Sequence, residues 1–267
     1  MMLTAGWITK AGPFTVEKVA VEDAGEVDLS RPPVGVGHTT EGSFESALSK
    51  FRSQDAPNFL VGKDGNRVRI IQLIALGRCA KALENPAGGV ETNHWARAQI
   101  ELAGNSKLSP WLPDTDVLDA FAALVGTLRD RAGIPLFRPF PDRLQSGVVW
   151  AVPNNPRRRT GKWGRVGGWF THLEVPENHH WDMGSFRWTE VFRRATVHVT
   201  SVHPNGIPRR PPEWFGTWAQ WRLGKGPFKT FGPADKKHRP PEAPTPIPDW
   251  AWRRLERLVR EGHTVHS

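Results

Sequence analysis

From Val34 to Arg131, short apolar runs at strand spacing alternate with segments whose apolar residues recur at helical spacing. That alternation is what most narrows the folds open to this chain. RPPVGVGHTT reads as a short buried strand that stops at His38. Ser43 can cap the next element, a helix in which Phe44, Ala47, Leu48 and Phe51 fall at i, i+3, i+4 and i+7. NFLVGK and NRVRIIQLI flank Asp64-Gly65 and predict a hairpin. In ARAQIEL, Ala98, Ile100 and Leu102 point one way, and Gln99 and Glu101 the other. A longer helix runs from about Asp116 to Arg131, with Val117, Leu118, Phe121, Leu124, Val125 and Leu128 as its stripe. Asp114 or Thr115 caps it, and Gly133 with Pro135 ends it. VEKVAVED, near the start, reads as one more strand. The order predicts an α/β domain built on a single mixed central β-sheet flanked by helices.

Beyond that helix the signals thin out. The stretch to about Gly168 is rich in Arg, Pro and Gly and reads as a long surface loop, with Arg157 to Arg159 solvated. Trp169-Phe170 is strand-like, a short helix is predicted near Trp188 to Arg194, and TVHVTSV suggests a strand. From Pro204 to Pro248 the chain is rich in Pro, Gly and Trp and predicts little regular structure. DWAWRRLERLVREG closes it as a basic helix capped by Asp249. This divides the chain into a domain over residues 1–195 and a basic, Trp- and Pro-rich extension over residues 196–267. From Ser185 onward there are 15 Lys and Arg against 7 Asp and Glu, so eight of the nine net positive charges fall there. Such a segment suits an anionic partner.

Composition excludes several classes. The single cysteine, Cys79, rules out an internal disulfide and a multi-cysteine zinc cluster, and its apolar run makes it a buried small side chain. No stretch has the length of a membrane span, and the first residues lack the pattern of a secretory signal. Thirteen Trp without a Tyr matches the bias of a GC-rich coding sequence, and burial is the default for most of these side chains.

The densest polar chemistry lies in THLEVPENHHWDMG, Thr171 to Gly184. His172 follows a strand-like pair as His38 ends a strand, and Asp182 lies ten residues on, across a loop bent by Pro176 and Gly184. Two histidines and a carboxylate on strand ends suit a hydrolytic metal site that leaves one position open. His38 after its strand, the helix behind it, the hairpin, an Asn before QIELAG, and lastly THLEVPENHHWDMG together resemble the zinc-dependent N-acetylmuramoyl-L-alanine amidases of type 2. That family shares its fold with peptidoglycan recognition proteins and amidase-type bacteriophage endolysins. The resemblance runs from about Val34 to Trp188.

The resemblance implies one zinc ion held by His38, His172 and Asp182. It implies Glu101 as the group that acts on the attacking water, and His180 in the place of a lysine that stabilises the oxyanion. Asn93 resembles an asparagine often found before the glutamate strand. Met183 departs from the family's proline, which leaves the loop less preorganised. His180 departs from lysine, so activity should fall at high pH if this imidazole must be cationic. His179, Glu174 and Glu177 read as surface residues; His94, His198, His203, His238, His263 and His266 read as non-ligands.

The implied substrate is peptidoglycan, cut between N-acetylmuramic acid and L-alanine, with anionic wall polymers as further partners of the extension. The implied setting is a phage endolysin held in the cytoplasm of an infected bacterium before release to the wall. A non-catalytic peptidoglycan-binding protein of the same fold is the alternative. A nucleic-acid binder, suggested by the basic aromatic tail, has no motif of its own, and no nucleic acid is expected.

Overall fold

The computed structural model describes residues 6–106, 112–140, 142, 156–184 and 186–199. Its elements run β1 Lys10–Ala11, β2 Phe14–Lys18, β3 Val34–Thr39, α1 Phe44–Phe51, β4 Phe59–Asp64, β5 Arg67–Gln72, α2 Thr92–Trp95, β6 Ala96–Leu102, α3 Thr115–Ala132, β7 Gly168–Thr171 and α4 Trp188–Val199. Seven strands make one mixed sheet in the order β1-β2-β5-β4-β6-β3-β7. β4, β6, β3 and β7 are mutually parallel neighbours, while β4–β5 and β1–β2 are antiparallel. The α/β architecture read from the sequence is the observed one.

Local chemistry accounts for the element ends. The Ser43 hydroxyl accepts a hydrogen bond from the Ser46 N–H at 3.2 Å and starts α1. Asp114 precedes α3 but makes no side-chain cap; its carboxylate instead accepts from Lys63 at 2.8 Å. α3 stops at Gly133, whose φ of 71° is the left-handed conformation that glycine adopts at low cost. The hairpin turns on Gly65-Asn66, one residue later than the Asp64-Gly65 pair, because β4 extends through Asp64.

The sheet is covered on both faces. α3 and α4 lie over Phe59, Val61, Ile70, Ala98, Ile100 and Leu102, and α1 covers Leu60, Ile71 and Leu73 on the other side. β3 alternates accordingly: Val34 and Val36 join a cluster with Phe170, Trp163 and Val175, whereas Gly35 and Gly37 turn to the α3 face. A Cβ on Gly35 would lie 2.7 Å from the Trp169 ring, and one on Gly37 would lie 2.5 Å from the Met183 sulfur and 2.6 Å from Trp188. The two glycines therefore let two fully buried tryptophans, Trp169 and Trp188, pack on the strand that carries His38.

Three expectations are corrected. VEKVAVED is a strand only to Lys18, and that strand begins earlier, at Phe14. TVHVTSV is not a strand over Thr196–Val199: α4 continues through it, because Trp188, Val191 and Ala195 extend one buried helical stripe. The segment before Gly168 is not all surface loop. Pro156–Arg159 is a 3-10 turn with Arg158 buried, and Trp163 packs edge-on against Phe170 at 5.2 Å. No helix among the described residues is long and apolar enough to cross a membrane. The final basic helix and the aromatic tail lie outside the described residues.

Gly37→Ala is predicted to lose about 1–3 kcal/mol by overpacking. Gly42→Ala, whose Cβ would meet nothing closer than 3.8 Å, should stay within about 0.5 kcal/mol of wild type. Urea unfolding of both variants measures the difference.

Candidate metal centre

Parallel register brings the polar residues to one edge. β3 lies between β6 and β7, so the C-terminal ends of three strands meet there, the end at which α/β sheets commonly carry their sites. His38 pairs with Glu101 in the β3–β6 register, and His172 directly follows Thr171, the last residue of β7. The chain then loops through Pro176 and returns Asp182 to the same edge, where the Leu173 N–H donates to the Asp182 carbonyl at 2.8 Å. Met183, beside it, is fully buried. It serves as an apolar anchor whose burial contributes roughly 1.5–3 kcal/mol.

His38, His172 and Asp182 each offer a ligand atom, all within 4.8 Å of one another, and no other such group occurs among the described residues. The Nδ1 atoms of His38 and His172 are 3.1 Å apart. His172 Nδ1 is also 3.1 Å from Asp182 Oδ1, and His38 Nδ1 is 3.7 Å from Asp182 Oδ2. A tetrahedral zinc site with bonds of about 2.0–2.2 Å separates its donors by roughly 3.3–3.6 Å, so the spacing fits such an ion.

The charge states suit it as well. His38 is fully buried, and burial, helped by His172, pushes its pKa down to about 3, leaving a neutral imidazole. Burial alone would raise the Asp182 carboxyl, but His172, His180 and His38 outweigh it and hold the group well below the usual carboxylate range. The Thr39 N–H donates to Asp182 Oδ2 at 2.9 Å.

Glu101 is buried rather than solvent-facing, and its Oε2 has no hydrogen-bond partner among the described residues. Burial, then the charge of Asp182, raise its pKa well above the ordinary carboxylate value. His180 is partly exposed and stacks on Trp181 with ring centroids 4.4 Å apart. Its Nδ1 is hydrogen-bonded to Asp182 Oδ1. That bond, opposed by desolvation, raises the His180 pKa.

The structure also gives roles near the centre to Glu174 and the Arg157–Arg159 run, which the sequence reading left at the surface, and to Asn178 and Glu41, on which it was silent. Glu174 is 1% exposed; both its oxygens accept from Arg138, Oε1 accepts from Arg157 at 2.8 Å, and Oε2 accepts from the Thr171 N–H at 3.0 Å. Arg158 is buried and donates to the His180 carbonyl at 2.6 Å. Two arginines of the RRR run therefore brace the His172–Asp182 loop from below, and solvation is not their role. Asn178, also 1% exposed, faces His172 Nε2 at 2.9 Å. Glu41 accepts from Thr39 Oγ1 and from the N–H and hydroxyl of Ser106. Of these only Glu174 carries a spacing signal, standing three residues after Thr171 as in a capping box; an Arg run and a lone Asn look alike whether buried or wet.

Other readings are upheld. His179 and Glu177 are exposed. Cys79 is fully buried, as a small packed side chain should be, and burial pushes its thiol up to about 12. His94 Nδ1 faces the Glu26 carbonyl at 3.0 Å, away from the centre. Asn93 bonds both the N–H and the carbonyl of Leu83 and accepts from Gln99 at 2.8 Å, a clip for the loop before β6. His203, His238, His263 and His266 lie outside the described residues, as does the side chain of His198.

Comparison with known proteins gives structural likeness only. No family model and no curated protein matches the chain. The solved structures similar to it include N-acetylmuramoyl-L-alanine amidases. The endolysin N-acetylmuramoyl-L-alanine amidase LysCS of Clostridium intestinale is 14% identical, with 66% of this chain and 92% of that chain covered at a TM-score of 0.39. The N-acetylmuramoyl-L-alanine amidase LysC of the same organism is 18% identical over 45% of this chain and 78% of its own, at 0.32. The PlyG catalytic domain is 20% identical over 46% and 74%, at 0.32. The functional reading accordingly rests on the donor set itself.

The raised pKa of Glu101 has a consequence for stability. Below its ordinary pKa the carboxyl is protonated in folded and unfolded chains alike. As pH rises above that value the unfolded chain ionises first, and stability is lost up to the folded pKa. Metal-free Glu101→Gln should therefore match wild type near pH 4 and melt about 2–4 °C higher at pH 7, the effect of roughly 1 kcal/mol in a domain of this size. Thermal melts across that pH range check it.

Proposed function

We propose that this chain is a zinc-dependent peptidoglycan hydrolase that cleaves the amide between N-acetylmuramic acid and L-alanine, acting as an endolysin. The observation that carries the reading is the convergence of His38, His172 and Asp182 with a buried carboxyl on the adjoining strand, Glu101, whose Oε2 has no hydrogen-bond partner among the described residues. The order of the motifs from Val34 to Trp188 supports it.

A bound zinc ion supplies a Lewis acid that lowers the pKa of water toward neutrality and polarises the scissile carbonyl. His38, His172 and Asp182 would hold it. Glu101 accepts the proton of the attacking water and passes it to the nitrogen of L-alanine as the C–N bond breaks, so the products are a lactyl carboxylate and a free stem peptide. His180 is tied to Asp182 through Nδ1, which leaves Nε2 of its protonated form to donate to the tetrahedral oxyanion. Such a donor contributes about 3 kcal/mol elsewhere.

In this reading residues 196–267 anchor the enzyme to anionic wall polymers through their positive charge. The protein would be made in the cytoplasm of an infected bacterium and reach the wall at lysis.

Digested peptidoglycan is the test. Wild type should release new L-alanine amino termini and contain about one zinc per chain. His172→Ala should lose both metal and activity. Glu101→Gln should keep the metal and lose roughly 100-fold or more in rate. Wall binding without new amino termini would move the chain to a non-catalytic binding role, and full activity in both variants would overturn the site.

A further inference from the structure

Asn178 is a buried amide whose four hydrogen-bonding positions are all used. Its Oδ1 accepts from the Glu84 N–H at 2.8 Å and faces His172 Nε2 at 2.9 Å. Its Nδ2 donates to the Glu84 carbonyl at 3.2 Å and to the Pro176 carbonyl at 2.8 Å. An Asn amide has two donors and two lone pairs, so nothing is left over. Turning the amide over would set its oxygen against two carbonyls and its NH₂ against the Glu84 N–H. One orientation is therefore admissible, and in it the oxygen faces His172.

An oxygen acceptor at Nε2 puts a proton on that nitrogen. A neutral His172 then has a bare lone pair on Nδ1, the atom 3.1 Å from both His38 Nδ1 and Asp182 Oδ1. That lone pair and the Asp182 oxygen are two acceptors facing each other, an arrangement that a cation satisfies. The opposite tautomer would point an N–H into the centre and present nothing to an ion.

We propose that Asn178 is a positioning residue of the metal centre: gripped by the Glu84 backbone, it holds His172 as the Nε2–H tautomer and so presents Nδ1 to the metal. The inference rests on the metal-centre reading above. It also gives the 83–85 loop a purpose, since Asn93 clips Leu83 on one side while Asn178 grips Glu84 on the other. The ligand geometry is thereby tied to β6 through Gln99.

The test is zinc affinity, measured on purified full-length chain by competition with a chromophoric chelator and the metal alone. Asn178→Leu removes the acceptor and should weaken zinc binding by about 10–100-fold. Asn178→Asp keeps an oxygen toward Nε2 while losing both donors to Glu84 and Pro176, and it should bind zinc at least ten-fold tighter than Asn178→Leu. Should Asn178→Leu fail to unfold cooperatively without metal, Asn178→Ala takes its place. An unchanged affinity in the apolar variant overturns the proposal. Equal losses in the apolar and Asp variants also overturn it, because they would make Asn178 only a loop clip. A wild-type chain that takes up no zinc sinks the metal-centre reading itself, an outcome distinct from these two.

Discussion

Burying a carboxylate costs several kcal/mol unless donors and positive charge surround it, and the edge of the sheet that carries the candidate site is arranged around doing so for Asp182. Thr39 gives a backbone N–H and His180 closes on one oxygen, while the Nδ1 atoms of His172 and His38 face the group across the space a cation would fill. Each of those partners depends on the sheet. His38 and Thr39 are the last residues of β3, His172 is the first after β7, and β3 lies between its two parallel neighbours. Without side chains at Gly35 and Gly37, β3 can seat Trp169 and Trp188 against the strand that carries His38.

The loop from His172 to Asp182 has little regular structure, yet it is held at many points. Glu174 is clamped by Arg138 and Arg157, the His180 carbonyl by Arg158, Asn178 by Glu84, and Met183 by apolar burial. Charged groups so deeply placed are costly alone and tolerable together, because each satisfies another. For the two candidate ligands this segment carries, His172 and Asp182, these contacts replace the support that strand β3 gives His38.

The sequence showed the layers of this fold because period and end signals are local. Phe44, Ala47 and Phe51 mark a helix face wherever they occur, Gly133 ends a helix by its own conformational freedom, and ARAQIEL alternates by itself. The gathering of His38, Glu101, His172 and Asp182 was legible for a different reason: four motifs in one order resemble a family. Arg158 and Asn178 were not legible, since the groups they hold lie far along the chain and no spacing encodes them; the Thr171-x-x-Glu174 spacing was a readable capping box, but not the clamp on Glu174 by Arg138 and Arg157. TVHV was misread because β-branched residues suggest a strand, whereas Trp188, Val191 and Ala195 had already committed that segment to a buried helical face.

The central claim is that two imidazole nitrogens and one carboxylate oxygen meet to hold a zinc ion. X-ray absorption spectroscopy of the zinc-loaded chain tests this most directly. The account predicts a four-coordinate shell of nitrogen and oxygen at about 2.0–2.2 Å, with scattering from two imidazoles and no sulfur. A shell that contains sulfur, one with fewer than two imidazoles, or the same shell after His172→Ala would contradict it.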